Sequence, residues 1–263
     1  MSDRKIAVVT GASSGIGAVY ADRLAQRGYD LVLVARRLDR LEALAGKLKQ
    51  AYGVNAEALQ ADLEKDADLV KVETLLSTNP AVRILVNNAG LARLQPLGQT
   101  PVQDSLTQIA LNVTAPTRLT HAVLPAFLQR DEGAIINIAS VLSIHAMPVS
   151  SVYSGTKGYV LNFSRGLQSE LANTNVKVQI VLPATTATEI WDNSGIPLSA
   201  LNPDTLMTTD NLVDAALAGF DKGEAITWPS VADETLWDKY DAARATLFAA
   251  TQRGAPAPRY GIA

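Results

Sequence analysis

There is no cysteine in this chain, which removes disulfide bridges and thiolate chemistry together. Histidine is nearly as scarce, with His121 and His145 alone, and no metal site is expected. No block of like charge stands out either. Against 26 acidic side chains there are 23 basic ones, a net charge of −3, which argues against nucleic acid as a partner. No apolar run approaches the ~20 residues needed to cross a bilayer, and residues 1–5 lack the apolar core of a signal peptide. A cytoplasmic protein with no membrane partner is the expectation.

What is present suits one α/β domain. At 263 residues and 48% hydrophobic, the chain can bury a large core, and it shows no repeat, low-complexity tract or linker. A single domain over residues 1–263 is expected. Apolar, β-branched runs at 6–10, 30–35, 54–60, 83–86, 133–139, 176–182 and 225–228 read as strands. Helical spacing separates them at 18–27, 38–52, 67–78, 101–130, from Tyr153 to about 173, and 209–222, with a last helix at 233–253. Pro116 and Pro125 predict a bend or a break within 101–130. The alternation implies a doubly wound, Rossmann-like fold with a central parallel sheet of about seven strands. Right-handed crossovers then bring every strand's carboxyl end to one edge, where open α/β sheets bind ligands.

The chemistry-bearing residues fall at that edge. After the first strand comes Gly11-Ala-Ser13-Ser14-Gly15-Ile16-Gly17, a turn in which glycine admits a phosphate close to backbone N–H groups at a helix start. The same spacing equally serves a structural tight turn. Arg36 and Arg37 follow the second strand, where the adenosine ribose lies in a dinucleotide fold; Arg36 suits a 2′-phosphate, and Arg37 reads as the start of a solvated helix. Asp62 ends the third strand, as a helix cap or a contact to adenine. Asn87-Asn88-Ala89-Gly90 ends the fourth, in a turn that leaves room for a ligand. Asn112 is unfavourable in mid-helix unless it bonds inside or is exposed. Ser140 ends the fifth strand and Pro183 the sixth.

Tyr153 and Lys157 stand four residues apart, so they share one helix face. A cation beside the phenol favours its ionised form and lowers a pKa that is otherwise near ~10. Such a phenol can exchange a proton with an alcohol or carbonyl. Beyond the sixth strand, residues 185–203 are rich in breakers, and 188–199 reads as a lid.

In order and spacing these residues resemble the short-chain dehydrogenase/reductase family over essentially the whole chain. The carriers are Thr10-Gly-Ala-Ser-Ser-Gly-Ile-Gly17, Asn87-Asn-Ala-Gly90, Asn112, Ser140, Tyr153-x-x-x-Lys157 and residues 183–188. The resemblance implies a carbonyl reductase or secondary alcohol dehydrogenase using NADP(H), with NAD(H) as the other possible cofactor. It makes Tyr153 the general acid/base and has Ser140 bond the substrate oxygen. Lys157 then bonds the nicotinamide ribose and lowers the Tyr153 pKa, while Asn112 holds a water of a proton relay. Gly11, Ser13, Ser14, Gly15, Ile16, Gly17, Arg36, Asp62, Asn88, Ala89, Gly90, Pro183 and Thr188 fall to the cofactor, with Thr188 on the carboxamide. Leu91, His145, Val149, Ile190 and Trp191 are expected in a mainly apolar pocket for a small carbonyl or alcohol substrate. A homodimer or homotetramer is implied.

Two positions depart from the family pattern. Ala184 replaces the usual Gly after the proline, and Ser14 stands where many NADP-using members carry a cation. The same fold also suits a dinucleotide-sensing regulator, against which an intact Ser140, Tyr153 and Lys157 speak. An NAD-preferring alcohol dehydrogenase is a further alternative.

Overall fold

Strand alternation is visible in the first strand itself. Ala7 and Val9 face one side of the sheet and Val8 the other, all three fully buried. A computed structural model of the chain describes residues 4–262. Seven strands form one sheet: β1 (Ile6–Thr10), β2 (Asp30–Ala35), β3 (Ala56–Gln60), β4 (Val82–Asn87), β5 (Gly133–Ile138), β6 (Val176–Val181) and β7 (Ile226–Thr227). Every pairing is parallel and the order is β3-β2-β1-β4-β5-β6-β7. The chain therefore reverses direction between β1 and β4, and the crevice outside their carboxyl ends is the ligand position of a doubly wound sheet.

The helices are α1 (Gly15–Gln26), α2 (Leu38–Tyr52), α3 (Asp66–Thr78), α4 (Val102–Ile109), α5 (Ala115–Arg130), α6 (Ser151–Glu170), α7 (Thr209–Lys222) and α8 (Thr235–Ala250). One face of the sheet packs on Tyr20 and Leu24 of α1, Leu41 and Leu48 of α2, and Leu212 and Val213 of α7. The other packs on Leu69 and Val72 of α3, Leu119 and Phe127 of α5, and Leu167 of α6. Phe127 is fully buried, so truncating it to Ala should cost ~3–5 kcal/mol.

The expected bend or break in 101–130 takes the form of a π-helical stretch within continuous helical backbone. A π-helical turn, Ala110–Thr114, separates α4 from α5, while Pro116 sits in the first turn of α5 and Pro125 is carried inside it. Residues through Pro229 make one compact unit that holds the whole sheet, and those from Ser230 make a second, smaller one built on α8. Among the described residues no helix is long and apolar enough to cross a membrane.

Candidate active site

The glycine-rich turn is held to β4 by Thr10 and Asn88. Thr10 Oγ1 donates to the Val86 carbonyl at 3.1 Å and accepts from the N–H groups of Asn88 and Ala89, each at 3.0 Å. Asn88 Nδ2 donates to the carbonyls of Thr10 (2.9 Å) and Gly11 (3.3 Å). Asn88, which the resemblance gives to the cofactor, bonds with its amide N–H groups to the turn itself. A Cβ on Gly11 would meet Asn88 Nδ2 at 2.7 Å, and the backbone there has φ +68°. The two readings of the glycines hold together: the turn is tight, and it opens at a helix start. Ser14, at the N-cap of α1, makes no side-chain capping bond, so the first N–H groups of α1 remain available to an anion.

Of the two arginines after β2, it is Arg37 that reaches the turn. Its guanidinium donates to Ser13 Oγ at 3.0 Å and Ser14 Oγ at 2.8 Å. Arg36 is exposed, at 69% of its side chain, and pairs loosely with Glu64 at 3.7 Å. Arg37, expected only to begin a solvated helix, is therefore the arginine bonded to the turn. Asp62 accepts from the Glu64 N–H at 3.2 Å and lies 3.6 Å from Lys65 Nζ, which makes it a local turn residue. Serine hydroxyls, a guanidinium and free helix N–H groups are donors suited to the phosphates of a dinucleotide.

The proton-handling residues converge from β5 and α6. Ser140, just past β5, accepts from the Leu142 N–H at 3.1 Å, and its hydroxyl is near enough to the Tyr153 phenol to favour the ionised form. Ser150, fully buried, starts α6 with its Oγ 2.7 Å from Ser154 Oγ. Tyr153 stands in the first turn and Lys157 one turn on. A buried chain of amides fixes this helix to the sheet: Asn87 donates to Asn137 at 2.9 Å, and Asn137 to Ser164 Oγ at 2.8 Å. None of those three was singled out for this role in the sequence.

Lys157 is buried and donates to the Ile138 carbonyl at 2.8 Å, and burial pulls its pKa down to about 8. Tyr153 keeps some exposed surface, but its phenol is desolvated, and that burial pushes it up to about 12 in spite of the Ser140 hydroxyl nearby. The net shift is thus upward, against the lowering expected from the neighbouring cation. Lys157 Nζ lies 5.8 Å from the ring centre, and desolvation outweighs what the Ser140 hydroxyl supplies.

Asn112 lies in the π turn and is buried. Its Oδ1 accepts from the Leu91 N–H at 3.0 Å, and its Nδ2 donates to the Leu91 carbonyl at 2.9 Å and to Thr156 Oγ1 at 3.1 Å. Thr156 in turn donates to the Tyr153 carbonyl at 2.8 Å. The Asn112 side chain is a clamp between Leu91 and α6. Gly90 lies between Asn112 and Lys157: a Cβ there would be 3.0 Å from Asn112 Oδ1 and 3.7 Å from Lys157 Nζ.

Residues beyond β6 border the same edge. Pro183 accepts at its carbonyl from the Val141 N–H at 3.0 Å, and Thr188 comes within 3.3 Å of the Cβ position of Gly15. Short 3₁₀ turns form at Glu189–Asn193 and Leu198–Ala200, with Trp191 Nε1 bonded to the Thr186 carbonyl at 2.7 Å and the Leu94 N–H to the Ser194 carbonyl at 2.6 Å. Leu91, Val149, Ile190 and Trp191 are partly buried, whereas His145 is exposed. The described residues contain no cluster able to hold a metal ion.

The family model described as short chain dehydrogenase matches residues 5–196. The chain belongs to the short-chain dehydrogenase/reductase family. It is 46% identical to a solved short-chain dehydrogenase from Sphingobium yanoikuyae in complex with NADPH, over 97% of this chain and all of that one, with a TM-score of 0.94. A bulky-bulky ketone specific alcohol dehydrogenase from Comamonas testosteroni is 39% identical, over 98% of this chain and 99% of that one, with a TM-score of 0.89. A very-long-chain 3-oxoacyl-CoA reductase from Anas platyrhynchos is 33% identical over 76% of this chain. Only 65% of that relative's length is spanned, and 59% to 61% of two from Danio rerio.

Proposed function

We propose that the chain is an NADP(H)-dependent carbonyl reductase, reversible as a secondary alcohol dehydrogenase. The observation that carries this reading is the placement of Lys157, buried one turn beyond Tyr153 with its ammonium near the Tyr153 ring and near Gly90, while the Ser140 hydroxyl faces the Tyr153 phenol. A bound nicotinamide dinucleotide supplies or accepts the hydride. The chain's own residues orient the substrate and handle the proton. Two neighbouring hydroxyls can share one carbonyl oxygen, Ser140 fixing it and Tyr153 giving up its proton as negative charge develops. A phenol pushed up to about 12 is protonated at neutral pH, the form that gives its proton to a developing alkoxide. The Lys157 charge, close to the ring, favours the phenolate left behind. Arg37, with Ser13 and Ser14, supports a 2′-phosphate, and NADPH in the Sphingobium yanoikuyae structure agrees with it.

For the substrate we favour a ketone with a large group on each side. Support comes from the Comamonas testosteroni enzyme, which matches nearly the full chain, and from the apolar residues Leu91, Val149, Ile190 and Trp191 near the site. The 3-oxoacyl-CoA reductases match a smaller share of their own length. NADPH consumption should be followed with ketones bulky on both sides, methyl ketones and 3-oxoacyl thioesters. Turnover of the first group above the others is expected, and thioester preference would replace this assignment. Self-association is supported by an exposed apolar stripe on α4, Val102, Leu106 and Ile109, and light scattering measures it.

A further inference from the structure

Glu189 opens the segment read as a lid, yet its carboxylate lies among the cations that follow β2. Arg37 Nη1 donates to one oxygen at 2.7 Å and Arg40 Nη1 to the other at 2.6 Å. The same Arg37 guanidinium bonds Ser13 and Ser14, and Thr188, next in the chain, packs against Gly15. One anion thus bridges two guanidiniums at the glycine-rich turn, where the adenosine ribose of a dinucleotide lies.

A phosphate monoester at that position would need the same N–H donors and would carry more charge than the carboxylate. Arg37 Nη1 cannot serve both fully, and two anions so close repel. The three side chains are 41% to 44% exposed, so the ion pair is weak enough to exchange with a ligand. Arg37 first, and then Arg40, hold the Glu189 carboxyl down at about 2, so the tether stays charged at any working pH.

We propose that Glu189 is a built-in competitor for the 2′-phosphate. It ties the front of the lid to Arg37 and Arg40, and a 2′-phosphorylated dinucleotide displaces it and releases that turn. A dinucleotide with a free 2′-hydroxyl leaves the tether in place. The specificity residue is thus carried on the lid, and cofactor choice is coupled to lid position. This rests on the NADP(H) reading above.

Calorimetry with 2′,5′-ADP and 5′-AMP tests it without turnover. The unaltered chain should prefer 2′,5′-ADP, and a chain that does not distinguish the two overturns the NADP(H) reading and this inference with it. With that preference in place, Glu189→Gln should bind 2′,5′-ADP about five- to tenfold tighter and leave 5′-AMP within about twofold. Unchanged or weaker 2′,5′-ADP binding in that variant overturns the competitor role alone. Trp191 lies in the same turn and gives a second readout once Trp228 and Trp237 are replaced by Phe. Its emission should respond to 2′,5′-ADP and not to 5′-AMP, and the response should vanish in Glu189→Gln. Equal responses to both nucleotides would overturn the tether.

Discussion

Lys157 Nζ lies 5.8 Å from the centre of the Tyr153 ring, and in this position it is buried with the Ile138 carbonyl as its hydrogen-bond partner. The unfolded chain holds the Lys157 proton up to 10.5 and the folded chain only to about 8. Burial therefore costs stability on the order of 3 kcal/mol below pH 8, and the cost shrinks as pH rises to 10.5 and is then gone. Lys157→Met should be inactive yet more stable at pH 7 by ~1–3 kcal/mol, with the gain lost near pH 10.5. Thermal unfolding at the two pH values checks this; the same gain at both would contradict it.

Arg37, not Arg36, should decide the cofactor. Arg37→Met is expected to weaken NADPH binding by roughly 10- to 150-fold, the worth of a charge-assisted hydrogen bond, and to spare NADH. Arg36→Met should change either affinity by less than about threefold, as befits an exposed charge. Raising salt should weaken NADPH more than NADH in the unaltered chain. Fluorescence titration of both cofactors measures all three effects.

Asn112 should behave as a positioning residue. Asn112→Ala leaves the Leu91 N–H and carbonyl without their partner, at a cost of ~1–3 kcal/mol, and lowers kcat by loosening the link to α6. Asn112→Asp should do no better, because its second oxygen would face the Leu91 carbonyl. Denaturant unfolding together with steady-state kinetics would reveal it, and an Asp variant as stable as the unaltered chain would count against the clamp.

The sheet was legible because its strands are short β-branched runs separated by helical spacing, and β1 and β2 begin and end where the sequence places them. Ser140, Tyr153 and Lys157 were legible as well, since strand end and helical spacing are local features. What escaped depends on distant partners. Which of two adjacent arginines turns inward is decided by Ser13, 24 residues before Arg37, and Glu189, 152 residues after it. Asn112 looked like a misplaced helix residue because its partner, Leu91, lies 21 positions earlier. The direction of the Tyr153 pKa was missed for a related reason: spacing shows the neighbouring cation, but only the packed structure shows the desolvation that outweighs it.

The most direct test of the chemistry is a single turnover with Tyr153→Phe, which keeps the ring and removes only the hydroxyl. The altered protein is expected to bind NADPH with affinity within about threefold of the original, while the rate of NADPH oxidation by a bulky ketone falls by ~100-fold or more. A near-native rate in that variant would contradict the assignment of Tyr153 as the proton donor.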